Sequence, residues 1–215
     1  MKKKFLVLSS FVLLCAVSLQ AQQRTTFGIR AGVNFQNLNG KDIEGDKLDN
    51  KLKPGFHLGV NADVPFAPDF YIQPGVLFST KGAKADDGDF KTNLSYIEVP
   101  VNFLYKPTLG TGKLLAGFGP YIAFAVGGNT DNDGTKRDIE FKNSITPGEL
   151  ISATPYYKRL DAGANFLFGY EFSSRFFTQL NAQLGLVNIA PDIEGLDEET
   201  SVKNTGFGVS IGYRF

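Results

Sequence analysis

Few side chains in this sequence have the chemistry of an active site. His57 is the single histidine, so any imidazole acid–base step would have to centre on it. A barrel hydrolase would place a Ser/His or Asp/His pair at one rim. Ser79 shares a strand face with polar neighbours, but no spacing ties it to His57. A hydrogen-bonded structural histidine is therefore expected, and no catalysis. A second candidate is Asn129-x-Asp131-x-Asp133-Gly134-Thr135 with Glu140 in the twelfth position. Oxygen ligands at alternate positions, a glycine for the turn and a distant carboxylate match a calcium loop. Asn at the first position, Lys136 where an apolar residue is usual, and no flanking helical pattern favour a solvated turn instead. Ca²⁺ is the one cofactor this spacing admits. The third group is a scatter of charges, Arg30, Asp63, Glu98, Lys113, Asp161, Glu171 and Arg214, which with His57 fall on the polar side of alternating segments.

Those segments explain the scatter. Phe27, Ile29, Ala31, Val33 and Phe35 alternate with Gly28, Arg30, Gly32 and Asn34, and Phe56 to Phe66 alternates the same way around His57, Gly59, Asn61 and Asp63. The period of two recurs from Leu160 to Phe172 and from Phe207 to Phe215, and less tidily around residues 70–78, 97–105, 114–126 and 176–186. Clean alternation means strands with different surroundings on their two faces. Pro74, Pro100 and Pro120 fall inside segments, where a residue without a donor should weaken the ladder and produce bulges. Short connections (Ala67-Pro68-Asp69, Lys106 to Gly112, Ser173-Ser174-Arg175) alternate with long polar ones at 38–53, 80–93, 128–156 and 189–203. All long loops then sit at one end and both termini at the other. The pattern predicts an all-β chain, an eight-stranded antiparallel up-and-down transmembrane β-barrel over residues 22–215.

A soluble lipocalin-like ligand carrier would turn the apolar face inward and show dense charge outside. Here the polar face is mostly Gly, Asn, Gln and Ser with nearly balanced charge, which suits a narrow interior filled by paired side chains. Aromatics near the strand ends, Phe56, Phe66, Phe70, Phe78, Phe207 and Tyr213, suit interfacial girdles, although the chain has no Trp. The inward charges are expected to form a structural plug, with Arg30 and Asp63 paired across adjacent strands. A narrow pore is the competing reading.

The N-terminus points to export. Lys2, Lys3 and Lys4 precede an apolar run from Phe5 to Val17, and Ser18-Leu19-Gln20-Ala21 precedes a polar stretch. This is a secretory signal peptide over residues 1–21, too short to span a bilayer as a helix. Cys15 is preceded by Leu14 rather than a small residue, which argues against lipidation. Its removal takes three of 22 basic residues and leaves 19 against 22 acidic ones, so no nucleic-acid partner is expected. Tyr213 and Phe215, on the alternating final segment, resemble the C-terminal signal read by the barrel-insertion machinery.

Phe27-Gly28-Ile29-Arg30-Ala31-Gly32-Val33-Asn34 and Tyr96-Ile97-Glu98-Val99-Pro100-Val101 resemble motifs of the PorT-like, or porin family, outer-membrane β-barrel domain. In architecture the chain is also similar to small OmpA- and OmpX-type barrels, without the peptidoglycan-binding domain of the larger OmpA proteins. The resemblance implies a monomer in the outer membrane of a Gram-negative bacterium. Its surroundings would be lipid and lipopolysaccharide, and its acidic loops (Asp42, Glu44, Asp46, Asp86, Asp87, Asp89, Asp192, Glu194, Asp197, Glu198, Glu199) would face the cell exterior for a ligand or protein partner.

Overall fold

The computed structural model describes residues 24–42, 45–86, 90–152, 154–195 and 200–215. The expected signal peptide with Cys15, and the loop acids Glu44, Asp87, Asp89, Asp197, Glu198 and Glu199, lie outside the described residues.

Eight long strands form the wall: β1 (Thr26–Lys41), β2 (Lys53–Ala67), β3 (Phe70–Ala85), β4 (Phe90–Tyr105), β5 (Gly112–Asn132), β6 (Leu160–Glu171), β7 (Phe176–Gly185) and β8 (Ser201–Arg214). Each pairs antiparallel with its neighbours in the chain, and β1 pairs with β8 to close the sheet. At the seam Gly28 lies opposite Arg214 and Lys41 opposite Ser201, and the Phe215 amide donates to the Phe27 carbonyl at 2.8 Å. Among the described residues no helix is long and apolar enough to cross a membrane; the crossing elements here are strands.

The apolar set of every strand faces outward. Phe27 is 63% exposed, Leu58 58%, Ile122 59% and Ile211 69%, whereas Asp63, Asp161 and Ser210 are 0% exposed. A water-soluble barrel cannot carry such a wall, so the lipocalin-like alternative is excluded and the solvent outside is hydrocarbon. Aromatic rings gather at both borders of the band. Phe35 meets Phe207 at 5.5 Å and Phe56 meets Phe78 at 5.8 Å near the long-loop end. Phe66, Phe70, Phe103 and Tyr105, with Phe176, Tyr213 and Phe215, cluster at the short-turn end.

The prolines act differently from expectation. Around Pro74, Pro100 and Pro120 the ladder skips residues and resumes in the same register, as between Pro74↔Val101 and Leu77↔Glu98. The missing donor costs a bond without adding a residue. The register shifts lie elsewhere, at Phe66 in β2 and between Ser95 and Tyr96 opposite Val126 in β5.

The loops are also shorter than their polarity suggests. Residues 80–85 and 90–93, expected in a loop, continue β3 and β4, and β5 runs on to Asn132 before turning into a hairpin strand Thr135–Asp138. Past the apolar band the outer face is polar. The period-two contrast fades there while backbone pairing continues.

Candidate functional site: the lumen and the long-loop cap

The inward faces of the eight strands bring most of the expected charges together, in two clusters separated by a polar middle. Near the short-turn end, Asp63 of β2 is the hub. Lys106 Nζ lies 2.7 Å from Asp63 Oδ2 and 2.8 Å from Glu171 Oε2. Arg214 reaches Asp63 at 3.2 Å and Glu171 at 3.6 Å, and donates to Asn61 Oδ1 at 2.7 Å. Gln73 donates to the second Asp63 oxygen at 2.9 Å. Rings floor this cluster: Lys106 lies 5.2 Å from the Tyr71 centroid and Arg214 5.2 Å from that of Phe177.

Toward the long-loop end, Lys81 sits between two carboxylates, 3.1 Å from Glu98 and 3.1 Å from Asp161. Its ammonium lies 4.4 Å from the Tyr121 ring centroid and 5.3 Å from that of Tyr96. The Tyr121 hydroxyl and Asn204 amide donate to Asp161 at 3.3 and 3.0 Å, and Gln183 donates to Glu98 at 2.7 Å. An ammonium buried this deeply persists because two anions and two ring faces replace its water.

Arg30 and Asp63 do not pair. The register sets Arg30 opposite Gly59 and Asp63 opposite Thr26, an offset of four residues, about 13 Å along the strand. Asp63 is instead held by Lys106 and Arg214, while Arg30 lines a mid-lumen cavity of about 50 Å³ with Asn34, His57, Ser79 and Glu98. Lys113 has inward parity but is half-buried next to the turn. Its cross-strand neighbour Glu171 is already engaged by Lys106 and Arg214, and among the described residues Lys113 makes no ion pair.

Lys81 and Lys106 supply the main cations, and neither was expected in the lumen. Both sit in stretches assigned to loop and turn, where polar neighbours mask strand parity. Counting two residues past each clear segment on its inward face would have found them: Ser79 leads to Lys81, and Leu104 to Lys106.

The last strand also carries a nucleophile-type spacing. Gly208-Val209-Ser210-Ile211-Gly212 has G-x-S-x-G spacing, and His57 Nε2 lies 2.7 Å from Ser210 Oγ. A serine elbow of that type needs a strand-to-helix turn that exposes the hydroxyl. Ser210 is mid-strand and fully buried, and Asn181 donates to its oxygen at 2.7 Å. Among the described residues no carboxylate hydrogen-bonds the other His57 nitrogen. Ser79 takes no part: its hydroxyl is 3.4 Å from the Asn34 amide.

The calcium spacing is a hairpin. Asn129 lies opposite Asp138 and Asn132 opposite Thr135, with Asp133 and Gly134 at φ 49° and 86° in the two-residue turn. Asp-Gly favours this turn because both positions need positive φ. Asp131 accepts from the Gly134 amide at 2.9 Å, and Glu140 has left the hairpin to pair beside Tyr156. Among the described residues no group of three His, Cys, Asp or Glu could hold a metal.

The long connections fold over the barrel mouth. Glu140–Phe141 pairs in parallel with Tyr156–Tyr157, and Ser144–Ile145 with Asp192–Ile193. Lys158 ties the layers through Asp192 at 2.7 Å and through its amide to the Ile189 carbonyl at 2.7 Å. Ile139 and Ile189 drop into a buried cluster with Leu38, Leu94, Tyr96 and Tyr121. A one-turn helix, Pro147–Leu150, has a full capping box: the Glu149 amide donates to Thr146 Oγ1 at 3.3 Å and the Thr146 amide to Glu149 Oε2 at 2.9 Å. The Lys142 ammonium also donates to Glu149, and this bond first, then the Thr146 amide, holds the Glu149 carboxyl down to about 2.

A closed antiparallel barrel with a hydrocarbon-facing wall and charges folded inward is a small integral outer-membrane β-barrel. The chain belongs to the outer membrane protein beta-barrel domain family, whose model matches residues 20–190. No curated protein matches the sequence. Solved structures similar to it include Ail, the attachment invasion locus protein of Yersinia pestis, in complex with the heparin analogue sucrose octasulfate. That match has 15% identity and a TM-score of 0.44, and covers 90% of this chain and 100% of Ail. OprG of Pseudomonas aeruginosa has 13% identity and a TM-score of 0.48, covering 90% and 97%. A major outer membrane protein of Thermus thermophilus has 14% identity and a TM-score of 0.45, covering 90% and 100%.

Two outcomes follow from these contacts. Lys81→Met leaves Glu98 and Asp161 buried without their cation, and is expected to lower the stability of the refolded barrel to urea by about 3–5 kcal/mol. Adding Glu98→Gln and Asp161→Asn should restore most of it; equal loss in the single and triple variants would show that burial geometry, not charge, sets the cost. In the cap, the depressed Glu149 carboxyl stabilises the helix fully above about pH 4.5, its ordinary value, and this stabilisation is lost as pH falls toward about 2. Amide protection at Leu150 and Ser152, corrected for intrinsic exchange, should decline across that window and be flat in Glu149→Gln. A decline centred on pH 4.5 would show that Lys142 and Thr146 contribute nothing.

Proposed function

We propose that this protein is a plugged, non-conducting outer-membrane barrel that holds an ordered cap of loops at the cell surface, with a structural or interaction role. The observation that carries this reading is the pairing of charge across the lumen. Lys106, Arg214, Asp63 and Glu171 bridge β2, β6, β8 and the end of β4, and Lys81, Glu98 and Asp161 bridge β3, β4 and β6. Opening a path would strand several buried charges at once. The mid-lumen space of about 50 Å³ holds only a few waters.

The chain is exported by residues 1–21, inserted through Tyr213 and Phe215, and works as a monomer with its long loops outside the cell. The motifs at Phe27–Asn34 and Tyr96–Val101 support a place in the PorT-like branch of the family. The cap offers a partner a defined surface, including an apolar recess of about 210 Å³ among Ile145, Leu150, Tyr156, Tyr157, Pro191 and Ile193. Residues on a rigid frame bind with less ordering cost than free loops.

In planar bilayers the refolded protein should give no steady unitary currents; stable open steps would overturn the plug and favour the narrow pore. The Ser210–His57 contact favours one second reading, a serine hydrolase. A fluorophosphonate probe should leave Ser210 unlabelled in the native barrel, because no path of substrate width reaches it. Labelling that is abolished by Ser210→Ala would place nucleophilic chemistry in the lumen.

A further inference from the structure

On one side of the barrel the wall continues beyond the membrane band. Outward positions above Phe78 in β3 are Thr80, Gly82 and Lys84, and above Ile97 in β4 they are Ser95, Asn93 and Lys91. The short strand Asn50–Lys51 adds to β3, and the hairpin strand Thr135–Asp138 adds to β5. The registers then align one rung across these strands. Lys51 lies opposite Lys84, Lys84 opposite Lys91, Lys91 opposite Asp131, and Asp131 opposite Lys136.

Directly opposed residues on one face have their Cβ atoms about 5 Å apart, and like charges so placed repel. The protein answers only part of this repulsion. Lys51 pairs with Asp86 at 2.9 Å, both well exposed, and Asp131 lies at the far side, tied to the Gly134 amide. Among the described residues neither Lys84 nor Lys91 forms an ion pair, although they face each other at the centre of the rung. Such a rung is stable where an anion from outside completes it.

The strip beneath the rung narrows the class of anion. Lys84 stands six residues beyond Phe78, about 20 Å of strand and about 15 Å of height at the usual tilt. That interval carries Thr80, Gly82, Ser95 and Asn93, small residues with little relief, the Thr80 hydroxyl bonded to the Phe56 backbone and the Asn93 amide donating to Asn129. Below it the wall turns apolar at Phe56, Phe78, Ile97 and Phe124. Apolar wall, shallow polar strip and cationic rung thus follow one another outward. An amphiphile with acyl chains, sugars and phosphate groups in that order has the matching sequence of chemistry.

We propose that Lys84 and Lys91, flanked by Lys51 and Lys136, bind phosphate groups of an outer-leaflet glycolipid whose sugars lie over Thr80, Gly82, Ser95 and Asn93. Ammonium groups hold phosphate as point charges and do not require the planar fork of arginine. A soluble peptide or polysaccharide would leave the adjoining apolar wall unused, so the lipid is the occupant favoured. This site rests on the reading that the long-loop end is extracellular.

The test uses the full barrel in phosphatidylcholine nanodiscs, titrated with purified lipopolysaccharide, dephosphorylated lipopolysaccharide or inorganic phosphate. The variant Lys84→Gln/Lys91→Gln should keep the heat-dependent gel mobility of the folded barrel and bind lipopolysaccharide at least five-fold more weakly. Dephosphorylating the lipid should weaken binding to the unaltered protein by a similar factor and have little effect on the variant. Equal lipopolysaccharide binding by both proteins overturns the site. Inorganic phosphate bound as tightly as the lipid overturns the assignment to a glycolipid. Orientation is read separately: a Lys84→Cys variant should react with a membrane-impermeant thiol reagent on intact cells. Labelling only after lysis would overturn the extracellular reading itself, whereas surface labelling with no Lys84/Lys91 effect would overturn the lysine site alone.

Discussion

An eight-stranded barrel in hydrocarbon has an interior too narrow for bulk water and a wall that cannot accept charge. The charges buried in the lumen must therefore be balanced largely by one another. The molecule meets this constraint with long, flexible cations placed on the inward face just past the clearly alternating segments. Lys106 follows the last residue of β4 and extends to Asp63 and Glu171. Lys81 lies above the membrane band of β3 and reaches Glu98 and Asp161. Breaking a buried pair by removing one partner costs more than the pair contributes as a whole, because the other charge stays behind. The clusters consequently specify which strands are neighbours as much as they stabilise them.

That specification matters most at the seam. β1 and β8 are the only barrel neighbours that are the two ends of the strand order, and no loop joins them. Their ladder is long, from Gly28↔Arg214 to Lys41↔Ser201. Arg214 adds a side-chain latch across the lumen to Asn61, Asp63 and Glu171. The latch holds the last strand to β2 and β6, neither of which adjoins it in the sheet, so the closed barrel is selected over an open one.

How much of this was legible beforehand depended on whether a strand had two different solvents. Where lipid lies outside, alternation is strong, and the eight strands, their order and the inward placement of Arg30, His57, Asp63, Glu98, Asp161, Glu171 and Arg214 could be read from parity. Above the membrane both faces are polar. Residues 80–93 then read as loop although most of them are strand, and Lys81 disappeared from the inward set. Partners were harder than faces. Parity says which way a residue points but not how high it sits, and Arg30 and Asp63 differ by four residues in height. The calcium spacing was ambiguous for a related reason: Asp133-Gly134 serves a hairpin turn as well as a metal loop, and the turn shows itself only in the pairing of Asn129 with Asp138.

Charge balance also explains a residue that the pairwise contacts leave aside. The cluster at the short-turn end is neutral by itself, with Lys106 and Arg214 against Asp63 and Glu171. The other cluster has one cation, Lys81, against Glu98 and Asp161, and so carries an excess negative charge. Arg30 is buried one level below and shares the small mid-lumen cavity with Glu98, yet its Nε has no hydrogen-bond partner. Its charge brings the two clusters and the cavity between them to four cations and four carboxylates without a direct contact. In a medium of low dielectric a compensating charge still acts across several ångströms. Arg30 thus has a counter-charge beside the same cavity rather than a paired one, and Asn34, Ser79 and His57 share that cavity's polar lining.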